Sequence, residues 1–417
     1  MKNIYVSIIL FYCLFMVSKV NGQGKKGVGS SKQDWAYVNV REGVYYFWWL
    51  YYATPTSTWE QKPLLIAPSK GIGKSASGYI NFDQIGPLDI DLNPRKNSWL
   101  DNYNILFIDD VLGCGFSYAD NETYYASTND QAADDLFKVI NHFLNKLPQF
   151  RTIPTYMMAE TVGTQIAAKS ALIWAQAQEK NLIESNFKAV VLGAPWISLT
   201  DVANYWKSTS NRDKFNKEEL EEINNQVKEI HEAMEVKDLS SAFILFVTLV
   251  THIQGYLNLN NMYNSSPKVT TNYSDYIEDD TELLNFMNNY VKNVLELDHE
   301  WTIKADITVI NIFMDNAMES IKETFNQLLQ QTDLRLIIIA GSNDLLIPPS
   351  CVESWANNLD WAHKQSFQET KPVNINGEIS VRKYKNLEYY LIEAGHLLLL
   401  DNPQDFRKIM EEMTRKK

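Results

Sequence analysis

Cysteine is nearly absent from this chain, with three in 417 residues. Cys13 lies in an apolar leader, so processing leaves Cys114 and Cys351. Two thiols in so long an exported chain exclude a disulfide scaffold and leave one bridge or none. Cationic residues are also scarce: 38 Lys and Arg face 51 Asp and Glu, a formal net charge of −13. That balance argues against nucleic acid as a partner, because neutralising phosphates takes clustered Lys and Arg. Basic or neutral ligands suit it better. Past the leader no stretch reaches the ~18 consecutive apolar residues of a membrane-spanning helix, so no membrane span is expected. Repeats and low-complexity tracts are missing as well. What remains is a globular composition, 45% hydrophobic and 21% charged, long enough to bury one large core and carry an insertion.

The first residues, Met1-Lys2-Asn3, lead into an apolar stretch from Ile4 to Val17 and then to small and polar residues at Val20-Asn21-Gly22. This is the pattern of a signal peptide over residues 1–22. The mature chain is therefore expected to be soluble, and either secreted or held in the secretory pathway or a lysosome-like compartment. Export gives meaning to three sequons, at Asn121, Asn264 and Asn272, which predict a glycoprotein; Pro267 weakens the second.

Short apolar runs alternate with amphipathic stretches, which predicts an α/β fold with a central, mostly parallel sheet. Strands are expected at Gly43 to Tyr52, Pro63 to Ile66, Tyr103 to Ile108, Thr155 to Ala159, Lys188 to Leu192, Leu334 to Ile339 and Tyr389 to Glu393. Between Asp130 and Leu147, Ala133, Leu136, Phe137, Ile140, Phe143, Leu144 and Leu147 recur at helical spacing and mark a face that packs on the sheet. From about 201 to 300 the text changes to charged helical segments and an Asn-rich loop. The expected organisation is a core over 23–200, an inserted helical cap over 201–300, and the rest of the core over 301–417.

A nucleophile at a sharp strand-to-helix turn, an acid after a late strand and a His after the last strand make up the layout of α/β-hydrolases. Here Thr161 follows the strand that ends near Ala159, Asp344 follows Leu334 to Ile339, and His396 follows Tyr389 to Glu393. With that order in place, the segments Phe47-Trp48-Trp49-Leu50-Tyr51-Tyr52, Asn81-Phe82-Asp83-Gln84-Ile85-Gly86-Pro87-Leu88, Gly113-Cys114-Gly115-Phe116-Ser117-Tyr118 and Ala394-Gly395-His396 become diagnostic. The chain resembles a serine carboxypeptidase, most nearly of the retinoid-inducible subgroup, over almost its whole mature length.

The resemblance implies a catalytic triad, and one member is altered. The family's Gly-Glu-Ser-Tyr-Gly-Gly motif falls on Ala159 to Thr164, which puts Thr161 at the nucleophile position, while Asp344 and His396 match the acid and base. A β-methyl restricts χ1 and the approach of Oγ to imidazole and carbonyl. Known threonine nucleophiles mostly rely on an N-terminal amine as base. The family's Trp-Leu-Gln/Asn-Gly-Gly-Pro-Gly loop aligns with Ala67 to Gly73. The resemblance thus implies an oxyanion site from the amides of Gly71 and Val162, in a loop changed by Lys70 and Ile72. Lys70 is expected to point to solvent. The resemblance further implies that Ser69 and Glu160 bind a substrate's C-terminal carboxylate, Glu160 in its protonated form.

Other motifs are decoys. Gly71-Ile72-Gly73-Lys74-Ser75 has Pro68 where a phosphate-binding loop needs Gly. His231-Glu232 lacks the second His of a zinc helix, and no cofactor or metal is indicated. Cys114 as a substitute nucleophile has no identified base beside it. The reading is a secreted carboxypeptidase homologue of impaired or absent proteolytic activity, a pseudoenzyme whose partners are peptide C-termini or a secreted protein. The alternative is a weak acid-pH carboxypeptidase that uses Thr161.

Overall fold

The computed structural model describes residues 24–70, 74–110, 112–208, 213–268, 280–303, 307–375 and 377–415. The leader over 1–22 lies outside them. The strands are β1 (Lys25–Lys26), β2 (Lys32–Arg41), β3 (Val44–Tyr51), β4 (Leu64–Pro68), β5 (Asn104–Ile108), β6 (Tyr118–Ala119), β7 (Thr155–Glu160), β8 (Phe187–Gly193), β9 (Arg335–Gly341), β10 (Val373–Ile375), β11 (Ile379–Tyr384) and β12 (Leu387–Ile392). They form one sheet in the order β1-β2-β3-β5-β4-β7-β8-β9-β12-β11-β10, with β6 against β3.

The central strands from β5 to β12 pair in parallel. Antiparallel wings extend both edges. The expectation of a parallel sheet therefore holds for the centre, and the whole is mixed. The seven strands read from the sequence are present, each end within two residues. Parallel strands are covered on both faces, so their text is continuously apolar. In β9, Leu336, Ile338 and Ala340 face one core while Ile337 and Ile339 face the other.

Helix α1 (Asn129–Lys146) starts where the Thr128 side chain accepts the amide of Gln131. Ala133, Leu136, Ile140, Phe143 and Leu144 are buried as the spacing predicts, and Phe143 meets Trp48 of β3 edge-on at 5.3 Å. Phe137 is half-buried. Helix α2 (Gly163–Glu179) follows β7 directly.

Between β8 and β9 lie α3 (Leu199–Lys207), α4 (Lys217–Glu235), α5 (Leu239–Tyr256), α6 (Ile307–Ala317) and α7 (Lys322–Gln331). The helical excursion expected over 201–300 thus continues past residue 300. Asn216 and Glu219 close a capping box on α4, whose Ile223, Val227 and Ile230 are buried while its charges face water. Helix α5 is long and apolar enough to cross a membrane by length and composition, with mean hydropathy 1.4, although 28% of it is buried. Its Ile253, Val250, Leu249 and Phe246 join the core. Helices α8 (Pro349–Asn358) and α9 (Pro403–Thr414) complete the outer layers.

Candidate active site

The site is assembled at the C-terminal ends of β4, β7, β9 and β12, where loops leave a parallel sheet. At the end of β7 the chain turns sharply into α2, and Thr161 occupies the turn with φ of +54°. For a β-branched residue this is a strained conformation, of order 1–3 kcal/mol, held only because its surroundings over-determine it. The Thr161 amide donates to Gly193 of β8 at 2.9 Å. Gly163 lets the turn close on β4: a Cβ there would stand 2.5 Å from the Ser69 carbonyl oxygen.

The hydroxyl of Thr161 donates to the carbonyl of Lys70 at 2.8 Å. On the other side of the site, His396 Nδ1 and Asp344 Oδ2 are 2.8 Å apart, and the second Asp344 oxygen accepts the amide of Ile347. Both residues are buried. The remaining imidazole nitrogen, Nε2, accepts the indole N–H of Trp196 at 3.3 Å. An indole can only donate, so Nε2 carries the lone pair and Nδ1 the proton given to Asp344. This is the tautomer of a general base, with its lone pair taken by tryptophan. Thr161, Asp344 and His396 therefore stand at the same end of the sheet, with the Thr161 hydroxyl bonded to Lys70 and His396 bonded to Asp344 and Trp196.

Trp196 belongs to an aromatic lid. Its ring lies 6.1 Å from both Phe243 of α5 and Phe313 of α6, and those two rings are 5.6 Å apart, edge to face. Tyr263 approaches His396 from the other side and accepts its backbone amide.

Lys70 corrects the sequence reading. It is buried, and its ammonium forms an ion pair with Glu160, itself 1% exposed. The reason is positional, because β4 lies beside β7 and brings the lysine stem alongside the carboxylate at the end of the neighbouring strand. A buried carboxylate needs a partner, and removing either member would strand a charge. The other Glu160 oxygen accepts the amide of Leu399. Ser69 is buried and gives its amide to Asp110 at 2.6 Å. Val162 is half-buried at the start of α2. Gly71 lies outside the described residues.

Asn264 does not suit a glycan. It is 7% exposed, bonded to Asp401, and packed against Gly395 in the loop that carries His396. Asn121 is exposed and caps a short turn through Thr123; Asn272 lies outside the described residues. Cys114 and Cys351 are buried and not bridged to each other. Burial pushes the Cys351 thiol far up, and His396 is engaged by Asp344 and Trp196.

A family model described as serine carboxypeptidase matches residues 24–416. The chain belongs to the serine carboxypeptidase family. It is 28% identical to the retinoid-inducible serine carboxypeptidase of Homo sapiens, covering 92% of each chain. It is 27% identical to serine carboxypeptidase-like 51 of Arabidopsis thaliana, covering 100% of this chain and 99% of that one. Among solved structures, a prohormone-processing carboxypeptidase from Saccharomyces cerevisiae superposes with a TM-score of 0.74 at 16% identity, over 92% of this chain and 91% of that one. That likeness shows the α/β-hydrolase fold.

Two site residues of this carboxypeptidase homologue escaped the sequence reading. Trp196 follows β8 in an ordinary-looking Ala194-Pro195-Trp196 turn, and nothing local marks it as a partner of His396. Lys70 is expected to point to solvent, and the structure turns it inward. A lysine so close behind the apolar run Leu64 to Pro68 is the sequence signal that bears on its placement.

Proposed function

We propose that this protein is a catalytically silent carboxypeptidase homologue of the secretory pathway, and that its altered cleft serves to bind a peptide or a secreted protein. The observation that carries this reading is the pairing around the nucleophile position: Thr161 donates to the Lys70 carbonyl while Trp196 donates to His396 Nε2. A serine-type mechanism needs the hydroxyl proton to pass to that nitrogen. The ion pair of Lys70 with Glu160 supports the same reading, because it fills with an internal cation the place where family members receive a substrate carboxylate. The leader over 1–22 and the exposed sequon at Asn121 support export and glycosylation.

The test is release of C-terminal residues from blocked dipeptides at acid pH by the purified protein, Thr161→Ser and Thr161→Ala. Equal, background-level rates for the wild type and Thr161→Ala are expected. A wild type that turns over while Thr161→Ala does not would sink the proposal.

Three features favour a second reading, a weak Thr161 carboxypeptidase. The Asp344–His396 pair is intact, the imidazole holds the base tautomer, and Thr161 keeps the strained elbow backbone. A rotation of Thr161 χ1 that released Lys70, together with displacement of the Trp196 indole, would re-form the missing link. The same assay separates the two readings.

A further inference from the structure

The hydrogen bond from Trp196 to His396 is of a kind that one proton reverses. An indole N–H can only donate, so the bond stands only while Nε2 carries a lone pair. A proton at Nε2 makes the imidazole a donor on both sides. Toward Asp344 nothing is lost: Nδ1–H keeps its acceptor at 2.8 Å, and the Ile347 amide holds that carboxylate in place. Toward Trp196 two N–H groups are set against each other at 3.3 Å, where His396 is 1% exposed and Trp196 7%. A buried donor without an acceptor is costly. The other ionisable groups around this loop are Glu160, held by Lys70 and the Leu399 amide, Tyr263, whose ring lies 5.8 Å from the imidazole, and Asp401, raised by burial and accepting the Gly395 amide. Trp196 also packs with Phe243 of α5 and Phe313 of α6, so its indole joins the imidazole to the helices of the lid.

We propose that His396 is a proton-operated latch on the cleft: a proton taken from solvent at Nε2 releases the Trp196 indole and lets the aromatic lid part from the Asp344–His396 pair. That the latch governs entry of a peptide rests on the reading of the cleft as a binding site. In the closed state the Nε2 lone pair is taken by tryptophan, and in the open state it is taken by the proton. Thr161 is offered a base in neither, so acid opens the cleft without arming it. The open imidazolium presents an N–H that a carbonyl oxygen of a bound peptide can accept. Acid-favoured peptide binding is the consequence.

The experiment follows the indole N–H groups of the mature protein, isotope-labelled at tryptophan, by NMR as pH falls from about 8 to about 5, the range in which imidazoles ordinarily titrate. There are 11 tryptophans, and Trp196→Phe identifies the Trp196 signal by its loss. That signal should move as pH falls, and its protection from solvent exchange, taken relative to free indole at the same pH, should drop by ~10-fold or more. The remaining signals should hold and report an intact fold. His396→Gln keeps an acceptor and cannot titrate, so in that variant the Trp196 signal should stay fixed across the range. A wild-type signal that ignores pH, or one that changes as much in folded His396→Gln, overturns the proposal; the second result assigns the change to Asp401. Should His396→Gln not fold, Asp401→Asn serves as the control, and loss of the pH response there overturns the proposal equally. Neither ligand nor turnover enters the measurement. A failed latch therefore leaves the reading of a silent cleft standing, and a wild type active on dipeptides leaves the latch result untouched.

Discussion

The two halves of the active-site region have been treated differently. At the ends of β9 and β12 the Asp344–His396 pair keeps its 2.8 Å contact and its burial. At the ends of β4 and β7 the elbow carries a threonine whose hydroxyl donates to a backbone carbonyl, and Lys70 is paired with Glu160. The retained half also has structural duties. His396 donates its amide to the Tyr263 carbonyl and accepts the Trp196 indole N–H at Nε2, so it ties the Tyr263 segment and the loop after β8 to the sheet. The Asp344–His396 pair therefore has a packing role whether or not it has a chemical one.

The sharpest way to break this comparison is to rebuild the altered half. Thr161→Ser combined with Trp196→Phe restores an unbranched hydroxyl and frees the imidazole lone pair. Hydrolysis of blocked dipeptides should then rise by on the order of 10² or more, within the 10⁴ to 10⁶ that a triad nucleophile controls. A flat result would place the remaining defect in the Ser69 to Gly73 loop. Next in size, Lys70→Met leaves Glu160 buried and unpaired and should cost about 3–5 kcal/mol in denaturant unfolding, with Lys70→Met/Glu160→Gln recovering most of it. Recovery by the double variant distinguishes a lost pair from a packing defect.

A third prediction concerns pH. Burial raises Asp109 to about 6 and Asp110 to about 7, above their unfolded value of 3.8. The folded state therefore holds protons that the unfolded state has released. The stability these groups contribute is full below pH 3.8 and is lost as pH rises through 6 and 7. Taken alone they make the protein more stable at pH 5 than at pH 8, and Asp110→Asn should shrink that difference in thermal melts. An unchanged difference would assign it to other groups. The smallest effect separates the sequons. In protein expressed through a eukaryotic secretory pathway, Asn121→Gln should remove one glycan by intact mass, while Asn264→Gln leaves glycan mass unchanged and lowers the melting temperature slightly through the lost bond to Asp401.

Legibility followed sequence distance. The elbow, the acid and the base were readable because each follows an apolar run of its own, and an α/β chain places such positions at one end of the sheet. Helix α1 was readable from the spacing of Ala133 to Leu144. Strand β2, Lys-Gln-Asp-Trp-Ala-Tyr-Val-Asn-Val-Arg, was not named, since it is half-exposed and mixes charge with aromatics. Strands β10 and β11 form a partly exposed hairpin at the other edge and were missed for the same reason. Asn264 met the sequon rule, but its burial depends on Gly395, which is remote in the chain.

The amino-acid sequence by itself determined the α/β architecture, the order Thr161, Asp344, His396 and the threonine at the strand-to-helix turn, because periodicity and residue identity are local properties. Only the tertiary structure decided that Lys70 turns inward to Glu160, that Trp196 donates to His396, and that Asn264 is buried against Gly395. Each depends on which strand end lies beside which, and strand adjacency is set by packing the whole sheet.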